Sequence, residues 1–340
     1  MANSRRQTLA APPPDPFGER KRDALRETLH VLGARFDFET NSARLLRIVH
    51  QAYADLPAHR FIEQARCKLS LVLMPGVRTA RLPASEAPGM HALAGAGLLC
   101  GAVQGSGFAA LSPQQHAGLL VIAPELLRYP YQLRYELLEF AVYVLAARVQ
   151  RLVPLHAACL GHADQGLLLV GASGCGKSTL VLHGLLAGLD LLAEDSVLVQ
   201  PQRLLATGIA SFVHLRADSL RFYDAAQRRL LRKESTLIRR RSGVEKLEID
   251  VRASTYRLAR RPLRIRAVVF LSRRAAAGRR LLSALRREVM LQRLAASQRY
   301  AAQQPGWKTF CAQVARVPAY ELRRGAHPLE GVEAVRALLS

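Results

Sequence analysis

Eight consecutive residues, Gly171, Ala172, Ser173, Gly174, Cys175, Gly176, Lys177 and Ser178, carry the chemistry written most plainly in this chain. The spacing Gly-x-x-x-x-Gly-Lys-Ser lets backbone N–H groups turn onto phosphate oxygens, sends a lysine to the β- and γ-phosphates, and leaves the Ser178 hydroxyl for Mg²⁺. Thr179 completes the candidate nucleotide-binding set. Only 6 of the 49 basic residues are lysines, so Lys177 at the one position that requires it is informative. ATP and Mg²⁺ are the expected cofactors.

Such a loop works only between a strand and a helix. Leu167, Leu168, Leu169 and Val170 form a short apolar run suited to a buried strand, and Leu180, Val181, Leu182, Leu185 and Leu186 keep one face apolar up to Gly188. Beyond the loop come Glu194 and Asp195, a carboxylate pair ending one apolar run and preceding another. Adjacent residues on an extended chain point opposite ways, so one carboxylate can face Mg²⁺ or an acceptor hydroxyl while its neighbour serves another contact. Upstream, His156 sits in an apolar run, where it reads either as a core histidine satisfied by backbone partners or as part of the site. Lys246, Glu248, Asp250 and Arg252 alternate with Leu247, Ile249 and Val251, which puts four charges on one strand face. That face is either a solvated edge or a second part of the site, with Glu248 a further metal carboxylate and Lys246 or Arg241 on a substrate phosphate.

Two nucleotide-using classes are excluded by missing parts. The chain's asparagines are Asn3 and Asn41, both far upstream of the loop, so no Asn-Lys-x-Asp base reader of a GTPase switch is present, and no Leu-Ser-Gly-Gly-Gln transporter signature occurs. The stretch from about 155 to 199 resembles the catalytic domain of HPr kinase/phosphorylase and its HPr-kinase-like serine kinase relatives. The resemblance rests on a Leu-His-Ala strand, the Gly-x-Ser-Gly-x-Gly-Lys-Ser loop, a helix closing on glycine, and an acidic pair. His156 precedes Lys177 by 21 positions, and Gly188 and Asp195 follow it by 11 and 18. It implies a P-loop mixed α/β sheet akin to that family and to phosphoenolpyruvate carboxykinase. It also implies ATP-dependent transfer of the γ-phosphoryl group to a serine hydroxyl of a protein or peptide. In those terms the catalytic residues are Asp195 (general base), His156 (support) and Lys177 (phosphates), and the metal residues are Ser178, Glu194 and Glu248. Where the family has aspartate first in the acidic pair this chain has Glu194, and a downstream glycine-rich glutamate signature is missing, so kinase activity is expected without phosphorolysis. A small-molecule kinase and a non-catalytic ATP-binding regulatory module are the alternatives.

The 340 residues are expected to divide into a disordered segment 1–28, a small α/β lobe 29–125 and a nucleotide-binding domain 126–340. Strands are expected at 69–74, 118–123, 153–160, 166–170, 190–193, 196–200, 246–252, 265–272 and 319–323, and helices at 43–56, 131–150, 177–186, 282–299 and 329–339. With 50% hydrophobic residues but no apolar stretch near ~20 residues, and with a polar N-terminus, a cytoplasmic protein without a membrane partner is expected. Five scattered cysteines imply neither disulfides nor structural zinc, and Cys175 reads as a small residue tolerated in the loop. The net charge of +23 would suit a polyanion, but its arginines are dispersed, so nucleic acid is not expected. Denser groups occur at Arg228, Arg229, Arg232 and Lys233, at 239–241, and at Arg260, Arg261, Arg264 and Arg266. Whether the chain forms a homo-oligomer stays open.

Overall fold

The computed structural model describes residues 24–74, 90–95, 97–103, 106–240, 243–252, 256–278 and 280–339. Among them, strands form sheets of seven, nine and three members, and the architecture is mixed α/β. The seven-stranded sheet runs, in hydrogen-bonded order, Leu25–Val31, Ala34–Thr40, Arg66–Leu73, Ala117–Ile122, Gly107–Ser112, Leu98–Val103 and Met90–Gly95. Its first strand starts inside the segment expected to be disordered, and 1–23 lie outside the described residues. The charge run there hid the alternation of Leu25, Leu29 and Val31. A two-residue turn, Leu32 (φ 54) and Gly33 (φ 82), folds that run onto a strand whose Phe36 and Phe38 are buried.

The region expected as one regular helix at 131–150 is a π-helical segment Leu133–Leu138 leading into an α-helix, Glu139–Val149. Its Leu133, Leu137, Leu138, Ala141, Val142 and Leu145 pack into the core beneath the seven-stranded sheet. From the same segment Arg134 and Tyr135 donate to the carboxylates described below. Apolar periodicity alone cannot distinguish a π turn from an α turn.

The nine-stranded sheet is ordered Asp190–Ala193, Ala158–His162, Gln165–Val170, Leu263–Ala275, Leu205–Gly208, Ser196–Gln200 and Val153–His156, with Ala319–Arg324 pairing Leu263–Ala275 and Leu282–Ala284 pairing Ala319–Arg324. Two short linkers decide its shape. Ala157 alone joins Val153–His156 to Ala158–His162, and Glu194–Asp195 alone join Asp190–Ala193 to Ser196–Gln200, although both pairs lie near opposite ends of that order. A chain spans at most ~3.6 Å per residue, so the sheet must curl until its ends meet. The linkers touch at that closure, where the Ala157 N–H donates to the Asp195 carbonyl at 3.1 Å. The single strand expected at 153–160 is therefore two, and the break at Ala157 is the crossing between ends; Pro154, which lacks an N–H, sits on the outer strand where none is needed.

Helices cover both faces of this sheet. Leu180, Val181 and Leu185 of Lys177–Leu186 pack with Val332 and Val335 of Pro328–Arg336, while Met290, Leu294, Phe310 and Val314 from Arg287–Ser297 and Trp307–Val314 fill the other side. The helix expected at 282–299 loses its start to a strand, Leu282–Ala284, because the free edge of Ala319–Arg324 offers it backbone partners. The three-stranded sheet, Phe212–Leu215, Glu245–Asp250 and Ser235–Arg239, sets His214 opposite Glu248.

Candidate active site

The motif at residues 171–178 forms the turn between the strand Gln165–Val170 and the helix Lys177–Leu186. Gly174 (φ 76) and Gly176 (φ 101) hold left-handed conformations that side chains disfavour, and a Cβ at Gly176 would project into open space with no atom within 4 Å. At Gly171 a Cβ would come 2.5 Å from Cys175 Sγ, since Cys175 turns inward beneath the loop and is buried. The Cys175 N–H closes the loop on the Ala172 carbonyl at 3.2 Å, and an Arg273 guanidinium donates to the Ser173 carbonyl. The first turn of the helix leaves N–H groups without intrahelical acceptors at the mouth of this cradle, the usual arrangement for an anion. Thr179 turns away, and its hydroxyl donates to Ser219 Oγ at 3.0 Å.

Lys177 is buried, and its Nζ donates to the Gly171 carbonyl at 2.6 Å and reaches His156 Nε2 at 3.5 Å. An ammonium has only hydrogens to offer, so Nε2 is the acceptor and the ring hydrogen sits on Nδ1. Nδ1 lies 3.2 Å from Asp195 Oδ1. The His156 backbone is held on both sides by the buried amide of Gln298, which accepts from its N–H at 2.8 Å and donates to its carbonyl at 3.0 Å. The structure thus places Lys177, His156 and Asp195 in one row along the sheet closure. Asp195 Oδ2 takes the Tyr135 hydroxyl at 3.2 Å, and that hydroxyl accepts from Arg240 Nη1 at 3.1 Å.

A second row runs inward from Ser178, whose hydroxyl donates to Glu194 Oε1. Glu194 Oε2 faces His214 Nδ1 at 3.4 Å, His214 Nε2 lies 3.0 Å from Glu248 Oε1, and Glu248 accepts from Arg134, which also donates to Glu139 at 3.3 Å. Burial would raise the Glu194 carboxyl, but the His214 hydrogen bond and charge, then the Ser178 hydroxyl, hold it below its ordinary range. Burial likewise opposes the charged form of His214, yet carboxylates at both ring nitrogens raise its pKa, with Arg240, 3.2 Å from Nδ1, working the other way. Glu139 goes up to about 7 because burial outweighs Arg134. A cavity of about 190 Å³ opens beside Glu194 and Asp195, walled by Tyr135, Phe140, Tyr143 and Phe212.

Ser178 and Glu194 together form a set of hard oxygen donors that fits Mg²⁺. Glu248 stands behind His214 and is engaged by Arg134, so it does not join that pair; among the described residues no group of three His, Cys, Asp or Glu has metal-site geometry. Of the charged face at 246–252, Glu248 is buried rather than solvated, and Lys246 lies near enough to Glu194, Asp195 and Lys177 to feel them, with burial first and Arg240 next depressing its pKa. Arg241 lies outside the described residues. His214, Arg134, Tyr135, Arg240, Glu139 and Gln298 are the site residues that reading the sequence passed over. Charged residues inside an apolar helix (Arg134, Glu139) and a histidine inside an apolar strand (His214) were the available signals.

No protein-family model matches the chain, and no curated protein matches it in sequence. Among solved structures, the Hpr(Ser) kinase/phosphatase from Coxiella burnetii is similar over 54% of this chain and 94% of its own, at 13% identity and a TM-score of 0.27. So low a score assigns neither fold family nor activity. The functional reading rests on the geometry of the two rows. No helix among the described residues is long and apolar enough to cross a membrane.

Proposed function

We propose that the chain is an ATP-dependent kinase of the HPr-kinase-like type, with that family's P-loop fold in residues 126–340, acting in the cytoplasm on a serine of a protein or peptide. The observation that carries this reading is the unbroken path Gly171 carbonyl, Lys177, His156, Asp195, which links a phosphate-holding lysine to a carboxylate through one imidazole. Phosphoryl transfer asks for little else from a protein: positioning, charge neutralisation and a proton acceptor. ATP would lie on the loop N–H groups and Lys177. Mg²⁺ would be held by Ser178 and Glu194 and would supply further neutralisation of phosphate charge.

In the proposed reaction the acceptor serine oxygen bonds to the γ-phosphorus as the bond from that phosphorus to the β,γ-bridging oxygen breaks. The serine proton passes to Asp195, and ADP leaves. His156, donating from Nδ1, keeps Asp195 Oδ1 oriented, and Tyr135 does the same for Oδ2. The test offers γ-labelled ATP and Mg²⁺ to the wild type and to Asp195→Asn with a serine-peptide library and, separately, a set of hydroxylated metabolites. Wild type should label serine, and the variant should bind ATP equally and label nothing. Transfer by Asp195→Asn overturns the base assignment; label on metabolites alone overturns the peptide acceptor.

A further inference from the structure

One basic cluster lies apart from both rows. Arg60, Arg261, Arg264 and Arg266 line an open groove of about 520 Å³ with Leu205, Pro262, Gln165 and Asp164. All four arginines are exposed, and none is in an ion pair among the described residues. The local fold aims two of them. Arg264 stands opposite Gln165 in the parallel pairing of Leu263–Ala275 with Gln165–Val170, and Arg266 is the extra residue where that register shifts, because Ile265 pairs Gly166 and Ala267 pairs Leu167. A bulge of this kind re-aims a side chain. Ile265 and Ala267 are buried while Arg264 and Arg266 are both exposed.

Four guanidiniums without an ion-pair partner among the described residues, grouped around one concave surface, make a local positive potential that attracts an anionic ligand. The residues also discriminate among anions. Among the described residues no aromatic ring lines the groove to stack a base, and Asp164 stands in it to repel a phosphate backbone, so a nucleic-acid strand finds positive charge there but no stacking platform. Guanidinium forks match carboxylates bidentately, and four of them around one groove suit a ligand carrying several carboxylates. Leu205 and Pro262 give an apolar patch for what lies between.

We propose that this groove docks an acidic peptide segment of a partner protein. It opens at the end of the sheet away from the phosphate loop, about 20 Å along the six residues of Gln165–Val170. Docking here is therefore independent of the kinase reading and can tether a partner without touching the reacting groups.

The experiment measures fluorescence anisotropy of a labelled alternating Asp-Ala peptide titrated with the full chain, with an alternating Lys-Ala peptide and oligo-dT as comparisons. Two surface variants are made: Arg264→Ala/Arg266→Ala in the groove and Arg228→Ala/Arg229→Ala on the exposed helix Ala225–Glu234, which removes the same charge elsewhere. The groove variant should bind the acidic peptide about tenfold more weakly, the helix variant within about twofold of wild type. Equal loss in both variants, or loss in neither, overturns the proposal, and oligo-dT binding tighter than the peptide and lost in the groove variant replaces it with a nucleic-acid site. An unchanged urea-unfolding midpoint in both variants verifies that the fold is intact.

Discussion

Glu194 and Asp195 are neighbours in sequence, yet the charges around them live in different surroundings. Around Asp195 the row is open: its own side chain is 24% exposed and that of His156 55%. Around Glu194 it is sealed, with Glu194 at 5%, His214 at 4%, Glu248 at 6% and Arg134 at 1%. The open row can exchange ligands and protons with solvent, which chemistry requires. The sealed row meets the loop only at its Ser178 end; His214, Glu248 and Arg134 behind Glu194 cannot exchange, so each of their charges must be matched by another, and removing one leaves its partner stranded at a cost of several kcal/mol. Two consecutive carboxylates thus stand in different surroundings, Asp195 in the open row and Glu194 at the head of the sealed one, through the alternation of the chain at the sheet closure.

Substitutions can break that comparison. The largest effect is expected from Asp195→Asn, which should lower the rate of phosphoryl transfer by roughly 10²- to 10⁴-fold while moving stability by no more than about 0.5 kcal/mol, read by label transfer and urea unfolding. Arg134→Ala should do the reverse and destabilise the fold by about 3–5 kcal/mol, because Glu248 and Glu139 lose their shared guanidinium. A stable Arg134→Ala protein would erase the distinction between the rows. Tyr135→Phe, which deletes only the hydroxyl on Asp195 Oδ2, should slow transfer about tenfold with little change in unfolding midpoint. A fourth effect is in pH dependence. Because the folded Glu139 carboxyl sits near 7, above its ordinary 4.5, the folded state binds the proton more tightly and its contribution is lost as pH rises from about 4.5 to about 7. Thermal unfolding of Glu139→Gln should fall less than that of wild type across that interval; an identical slope would place the charge elsewhere.

Much of the open row could be read from the sequence because its residues sit in short apolar strands and a glycine loop whose spacing is local. The strand before the loop, the helix after it and the runs flanking Glu194 and Asp195 depend on neighbours a few positions away. The sealed row could not be read in the same way. His214 meets Glu194 and Glu248 only because a three-stranded sheet pairs Phe212–Leu215 with Glu245–Asp250, and Arg134 arrives from a π-helical turn more than a hundred positions upstream of Glu248. A charge pattern on one strand looks the same whether its face meets water or an arginine, which is why the face carrying Glu248 stayed undecided between solvent and site. The crossing at Ala157 was likewise hidden, since an apolar run does not record that it changes sheet edges.

The central claim is that Gly171 to Ser178 form a phosphate cradle served by Lys177, and it can be tested without knowing the acceptor. Isothermal titration of MgATP should give measurable binding to the wild type, the same affinity for Asp195→Asn, and a loss of about tenfold or more for Lys177→Ala, whose Nζ no longer waits on the Gly171 carbonyl. Wild-type affinity in Lys177→Ala would contradict the account.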